Sequence, residues 1–257
     1  MKVSLETARR FVESADVGVG RGEADVKAGS TLAAGFDAAK AQATVVGSDV
    51  VAFVPGVTAE ARDAIVNGAL LAQLVAKKKV PNADNADAWY DAYFDTLTNV
   101  GWVIQERQFA VYQEDDTGLD VHKAVLTVLA TVLGPAASAL AIATSAITAL
   151  QSMNEDQPFI ALFNRESRLG KVGRFQITTV EPSDDKKGFL ISLMAFSMTA
   201  TASLTQVLFV RVKKGVVTLR NTQSKVTIAS DIALGALPAL KQKLASHVGD
   251  FVSMVDI

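Results

Sequence analysis

Hydrophobic residues follow two different spacings along this chain, and the change comes near Pro158. A spacing of three to four residues predicts helices at residues 5–14, 59–78, 85–99, 121–133, 136–153 and 230–255. A spacing of about two predicts strands at residues 44–54, 102–112, 173–180, 187–201, 204–213, 216–221 and 225–228. Short turn sequences join the later strands, which favours an antiparallel meander. Pro238 is expected to kink or delay the last helix.

The segment at residues 124–154 contains no charged residue. It is long enough to span a bilayer if it forms one helix, since ~20 apolar residues suffice. Gly134-Pro135 interrupts it, however, and proline starts helices better than it continues them. The segment is therefore predicted to form two helices with a tight break. Two interpretations remain open: a hairpin buried in the core, or a hairpin that moves when a membrane is present.

Residues 189–199 form an unusual strand because neither of its faces is polar. Phe189, Ile191 and Leu193 alternate with a second apolar set. That set consists of Leu190, Met194, Phe196 and Met198. A strand that is apolar on both sides belongs inside a sheet that is covered on both faces, and helices would provide the cover.

The predicted fold is therefore α/β (α+β): a single-domain sandwich in which helical hairpins wrap a central antiparallel sheet. The subdivisions expected within this one domain are an N-terminal extension (1–55), helices plus a strand (58–113), the helical hairpin (121–153), the antiparallel sheet (158–228) and a C-terminal helix (230–257). No linker divides the chain into separate domains.

Composition narrows the function classes. With 49% hydrophobic residues, the 257-residue chain is a folded, core-rich protein rather than a disordered one. It has no cysteine, which excludes disulfides and thiolate metal sites, and only two histidines. The net charge of −2 argues against a nucleic-acid partner. Residues 158–228 nevertheless carry eleven Lys and Arg against four Asp and Glu.

Two features of the N-terminal region argue against a phosphate-binding loop and against a conventional export signal. Gly18, Gly20 and Gly22 are spaced like part of a phosphate loop, but no hydrophobic strand precedes them, so a linker is the simpler interpretation. The first sixteen residues lack the apolar core of an export signal. Secretion or release is therefore expected to use a route without a conventional signal peptide.

Three stretches, in this order, resemble the Cyt family of cytolytic δ-endotoxins and the related volvatoxins. They are VHKAVLTVLATVLG at residues 121–134, FIALFNRES at residues 159–167 and LTQVLFVRV at residues 204–212. The resemblance implies helical hairpins around a central antiparallel sheet, no enzymatic activity, no cofactor and direct action on phospholipid membranes. It also implies that the helical layer separates and that the long strands, here residues 189–199 and 204–212, insert or aggregate on the bilayer.

The candidate membrane-interaction residues follow from these strands and their ends: Phe189, Ile191, Leu193, Met194, Phe196, Val207, Leu208, Phe209, Lys213 and Lys214. Strands of eleven and nine residues match the ~9–11 needed to cross the hydrocarbon. Lys186, Lys187 and Arg211 also lie at strand ends, where they would meet anionic head groups or simply keep exposed hairpins soluble. An inserted open sheet must close by oligomerising, so a homo-oligomer is expected on the membrane.

Two other functions are open. A non-lytic effector with the same fold would hold a lipid or other hydrophobic ligand between helices and sheet. An enzyme would use His122, which lies beside Asp120, although helix capping explains Asp120 more simply. We expect no catalytic residue, metal site or cofactor.

Overall fold

A computed structural model of the chain describes residues 3–18, 35–82, 85–113, 118–134, 137–154, 157–183, 189–228 and 230–255. Most of the predicted glycine-rich linker lies outside these ranges. In the described ranges, the helices are α1 Leu5–Ser14, α2 Ala59–Lys79, α3 Ala86–Asn99, α4 Val121–Leu133, α5 Ser138–Ser152, α6 Pro158–Ser167, α7 Ser230–Leu244 and α8 Val248–Phe251. The strands are β1 Gln42–Val46, β2 Asp49–Phe53, β3 Trp102–Ile104, β4 Ala110–Val111, β5 Leu119–Asp120, β6 Arg168–Leu169, β7 Val172–Pro182, β8 Phe189–Ala200, β9 Arg211–Val212, β10 Val217–Ile228 and β11 Val252–Val255.

One large sheet forms the centre of the described structure, in the order β11-β1-β2-β7-β8-β10-β3. The short strands β4 and β6 extend it beside β10 and β7. The pair β2 and β7 is parallel, which the long connection through helices α2 to α6 permits. The other pairs of this sheet are antiparallel. The sheet is therefore mixed, and the expectation of an antiparallel sheet holds for every pair except this one.

Helices cover the sheet on both faces, as predicted. One apolar cluster joins a face of the sheet to α1, α2, α3 and α7. A second cluster joins the opposite face to α4, α5 and α6. The strand β8 contributes alternate residues to the two clusters, which is why neither of its faces is polar. The predicted α/β sandwich with helices on both sides is confirmed.

Helices α1 to α4 each begin after a side chain that accepts a hydrogen bond from one of their first free amide groups. The side chains of Ser4, Thr58, Asn85 and Asp120 accept hydrogen bonds from the backbone N–H three residues later. Pro158 occupies the first position of α6, where its missing N–H costs nothing. Pro238, in contrast, lies inside α7, so it did not delay the start of that helix at Ser230.

Several strand predictions are wrong in their bounds. Residues 44–54 form a hairpin of two strands, because Gly47 adopts a φ of +55° and turns the chain. The predicted strand at residues 102–112 is interrupted, since Ser224 Oγ accepts from the amides of Gln105 and Glu106 and the Glu106 carboxylate accepts from the next two amides. Those amides are then unavailable to a neighbouring strand.

Two further predictions are corrected at the C-terminal side. The strands predicted at residues 216–221 and 225–228 are one continuous strand, β10, which pairs with β8 over its whole length. The C-terminal helix ends at Leu244, and residues 252–255 form β11 against β1. In this position β11 covers what would otherwise be an open edge of the sheet.

Candidate functional site: an uncharged helical layer over an apolar sheet

The candidate residues on β8 lie in the interior. Ile191 and Leu193 pack in the cluster with α2, α3 and α7, whereas Met194 and Phe196 pack in the cluster with α4, α5 and α6. All four side chains are 0% exposed, and Phe189 at the strand end is partly buried. None of the four can touch a membrane unless a helical layer first moves away.

The candidates Val207, Leu208 and Phe209 do not lie on a long strand. Only Arg211 and Val212 of the predicted strand at residues 204–213 are paired in a sheet, so that prediction is wrong. The reason is that the consecutive residues Val207 and Leu208 are both buried in the cluster with α4, α5 and α6, which the alternating faces of a strand do not allow. Val207 packs so closely on β7 that a Cβ at Gly173 would collide with it. Phe209 lies against the His122 ring at 5.5 Å.

The candidates Lys213 and Lys214 are exposed in the turn between β9 and β10. Arg211 is also exposed and forms an ion pair with Asp120, at 2.7 Å. Lys186 and Lys187 lie outside the described residues. The basic candidates Arg211, Lys213 and Lys214 therefore lie on one short segment, which the Asp120–Arg211 ion pair joins to the start of helix α4.

Helices α4 and α5 form the uncharged hairpin that the sequence predicts. Their inner side chains, such as Val125, Leu129, Ala143 and Ile147, are buried against the sheet. Their outer side carries small and hydroxyl residues that are exposed: Thr127, Thr131, Ser138, Ala141, Ser145 and Thr148. The outer surface of this hairpin is thus free of charge from residue 124 onward.

Among the described residues of the hairpin, each polar side chain that forms a hydrogen bond forms it within its own helix. Thr127 Oγ1 donates to the Lys123 carbonyl, Thr131 Oγ1 to the Thr127 carbonyl, and Ser152 Oγ to the Ala149 carbonyl. Within the ranges given above, no side chain of residues 124–134 or 137–154 hydrogen-bonds to the sheet. The hairpin is held on the sheet by apolar packing.

A small clasp, formed by β5, β9 and the Asp120–Arg211 ion pair, fixes the base of the hairpin. Leu119 and Asp120 pair with Val212 and Arg211. The Asp120 carboxylate also accepts from the Lys123 amide and caps α4, at 3.1 Å. Burial opposes ionisation of Asp120, but the hydrogen bond from Lys123 and the charge of Arg211 outweigh it, so the pKa of Asp120 is lowered.

Gly118 is required by the clasp, and replacing it with alanine should destabilise the protein by about 1–3 kcal/mol. Its φ is +120°, and a Cβ would overlap the Val212 carbonyl oxygen, which is backbone and cannot move aside. Urea unfolding measures the effect. Gly170→Ala is the matched control for the collision, because Gly170 also has a positive φ but open space around its Cβ position. Equal losses in the two variants would contradict the collision.

A buried polar cluster on the opposite face of the sheet was missed at the level of sequence. The Tyr90 hydroxyl donates to the Phe196 carbonyl at 2.7 Å, and Gln176 Nε2 donates to the Tyr90 oxygen at 2.9 Å. Thr178 Oγ1 donates to Asp49 Oδ2 at 2.8 Å, while Asp49 Oδ1 has no hydrogen-bond partner among the described residues. Burial raises the pKa of Asp49 to about 7. Polar residues at alternate positions in the strand sequence GRFQITTV were the available signal.

No helix in the described part of the chain combines the length and the apolar character needed to cross a membrane.

His122, the candidate for catalysis, has an Nε2 atom without a hydrogen-bond partner among the described residues, and its neighbour Asp120 serves as a helix cap.

Comparisons with known proteins give likenesses of fold only. No protein-family model matches the chain, and no match is found among curated proteins. A solved δ-endotoxin structure is 12% identical over 72% of this chain and 84% of its own, with a TM-score of 0.42. The activated Cyt2Ba monomer from Bacillus thuringiensis subsp. israelensis is 14% identical over 55% of this chain and 80% of its own, with a TM-score of 0.34. The chain is similar to these two structures at low sequence identity.

Proposed function

We propose that this protein acts directly on phospholipid bilayers, and that the hairpin of α4 and α5 leaves the sheet and contacts lipid. The observation that carries the proposal is the way the hairpin is attached. It has no charge from residue 124 to residue 154, and its described side chains form hydrogen bonds only within the hairpin itself.

Beyond the clasp at its base, the hairpin is attached to the sheet by apolar packing, so its transfer to lipid costs little free energy. A hydrocarbon environment replaces apolar contacts with contacts of the same kind, so little hydrophobic free energy is lost. Hydrogen bonds or ion pairs to the sheet would instead be broken and leave polar groups unsatisfied, at several kcal/mol each in lipid. The hairpin carries its few hydrogen bonds with it.

The lengths of the two helices indicate how they would lie. Helices of 13 and 15 residues are about 20 and 22 Å long at ~1.5 Å per residue, whereas the hydrocarbon core is ~30 Å thick. Neither helix reaches across. We therefore place the hairpin at the boundary between head groups and acyl chains, deep enough that its buried side and its uncharged outer side both meet lipid.

Departure of the hairpin would uncover Ile177, Met194 and Phe196 on the sheet. This surface then needs lipid or a second copy of the chain to cover it. Strands β7, β8 and β10 have 11, 12 and 12 residues, which exceeds or meets the ~9–11 of a membrane-spanning strand. We propose that the exposed sheets associate on the membrane and permeabilise it, since open strand edges must pair in lipid.

Release of dye from loaded vesicles tests this function. We expect micromolar protein to release dye from vesicles of phosphatidylcholine and phosphatidylglycerol. No release from neutral or anionic vesicles, before or after limited proteolysis, would contradict the lytic function. Vesicle binding without release would instead support the non-lytic lipid-binding alternative.

Movement of the hairpin is measured separately, and the absence of native cysteine makes this simple. An environment-sensitive dye on Ser145→Cys should report an apolar environment when vesicles are added. The same dye on Gln242→Cys, an exposed position in α7, should not respond. Leakage without a response at position 145 would contradict the role of the hairpin.

A further inference from the structure

A cavity of about 340 Å³ lies between α2 and α3, which cover one face of the sheet, and α6, which packs on the other, with the start of β7 as a further wall. This volume falls at the lower end of the ~300–1,000 Å³ typical of small-molecule sites. Its lining combines apolar side chains with four charged ones: Lys77, Arg165, Glu166 and Arg174. Three cations against one carboxylate give the cavity a positive balance.

Arg174 forms the interior wall and is the unusual member of the set. It is only 6% exposed, and neither Nε nor Nη1 has a hydrogen-bond partner among the described residues. Its guanidinium lies over the Trp89 ring at 4.5 Å, and Trp89 Nε1 also lacks a described partner. Burial lowers the pKa of Arg174 to about 10, so the group remains charged at neutral pH.

The Glu166 charge favours the charged form of Arg174, but a buried cation whose Nε and Nη1 donors have no acceptor among the described residues is still a costly arrangement. Most buried arginines have a carboxylate or several carbonyl groups to accept their protons. Arg62 of the same protein illustrates this, because its guanidinium donates to the side chain of Gln42 and to the carbonyls of Val57 and Lys40. Arg174 has no such set among the described residues, which leaves its donors available to a ligand.

The entrance to the cavity holds two more cations, Lys77 and Arg165. Lys77 and Arg165 both pair with Glu166, at 3.1 and 2.8 Å. Both also lie over the Phe251 ring, at 5.4 and 5.6 Å from its centroid. Their side chains are more than half exposed. They can therefore turn toward an arriving anion while remaining close to the entrance.

We propose that this cavity binds a molecule that carries a phosphate group, with Arg174 at the inner end and Lys77 and Arg165 at the entrance. Several cations around one space suit an anion with several oxygens, and guanidinium groups match phosphate geometry. The apolar part of the lining would hold the remainder of the ligand. A phospholipid head group and a free phosphate ester share this chemistry. The inference does not depend on the proposed membrane action, because the soluble ligand needs no bilayer.

Calorimetric titration without vesicles tests the site, with Trp fluorescence as a second signal because Trp89 lies against Arg174. The probes are glycerol 3-phosphate and monomeric dihexanoyl phosphatidic acid. We expect Arg174→Gln to weaken binding at least tenfold. Arg220→Gln is the matched control, since Arg220 is also a strand arginine over an aromatic ring, but it has the counter-ion Asp87 and lies outside the cavity. That variant should bind like the parent.

The two probes separate the sources of the phosphate. Binding of both, each weakened by Arg174→Gln, supports a site for a free phosphate ester. Binding of the lipid probe alone, with the same dependence on Arg174, supports a head-group site. Binding of neither probe at millimolar concentration overturns the proposal, as does binding that Arg174→Gln leaves unchanged.

Because a buried side chain is removed, Arg174→Gln must be checked for folding by near-UV circular dichroism. If it does not fold, Lys77→Gln/Arg165→Gln decides the question, since both side chains are largely exposed and the fold tolerates their loss. We expect that double variant to bind the probes several-fold more weakly. Unchanged affinity in the double variant would overturn the proposal.

Discussion

The double variant Thr127→Glu/Ser145→Glu should bind phosphatidylcholine vesicles about 100-fold more weakly than the parent protein. Both side chains are exposed on the outer surface of the hairpin, so the folded state in water should change by less than about 0.5 kcal/mol. On the membrane the two carboxylates would have to enter or approach the hydrocarbon. An acidic residue costs ~2.5–3.5 kcal/mol at the bilayer centre. Half of that cost for each residue at the interface already corresponds to about a hundredfold loss.

Vesicle co-sedimentation and dye release measure this effect, and Gln242→Glu/Ala245→Glu is its control. The control adds the same net charge at exposed positions in and just after α7, which lies on the other side of the sheet. Neutral vesicles remove any long-range attraction or repulsion. Equal binding by the hairpin variant and the control would show that the hairpin does not contact lipid.

Asp49→Asn should increase stability relative to the parent as the pH rises, by up to about 4 kcal/mol between pH 4 and pH 8. The carboxyl group is fully buried, and burial raises its pKa from 3.8 to about 7. Between these two values the folded state binds more protons than the unfolded state, so the contribution of Asp49 to stability falls as the pH rises. Three pKa units at ~1.36 kcal/mol each give the stated size.

Urea unfolding at several pH values measures the difference between Asp49→Asn and the parent. The difference isolates this carboxyl group, because the other titrating groups contribute to both proteins. Asp91→Asn, which removes an exposed aspartate on α3, is the matched control for the substitution. A pH-independent difference for Asp49→Asn would mean that Asp49 is not a buried acid with a raised pKa.

Local sequence patterns were sufficient to predict the helices and strands whose conformation depends on residues adjacent in sequence. The break at Gly134 separates two helices whose apolar spacing is regular, and the structure has those helices at 121–133 and 138–152. The two apolar faces of β8 also predicted its position between two helical layers, which the apolar clusters confirm. In both cases the residues that carry the signal are adjacent in sequence.

Patterns failed where distant contacts decide the conformation. Residues 204–210 have a strand-like composition, but the neighbours Val207 and Leu208 both pack in the same apolar cluster, which is incompatible with the alternating faces of a strand. The polar groups at Arg174 and Asp49 were missed for a related reason. An arginine or aspartate in a strand indicates a solvated position by default, and only the packing of α3 over the sheet shows that these two are buried.

The pairing of β1 with β11 has a consequence for synthesis on the ribosome. Val46 pairs with Val252, so one edge of β1 stays open until the C-terminal region has been translated. At roughly 5–20 residues per second, the delay is about 10–40 s. During this time the nascent chain presents an unpaired hydrophobic strand, the kind of edge that joins other chains. A chaperone that shields residues 42–46 would therefore be expected to increase the yield of folded protein.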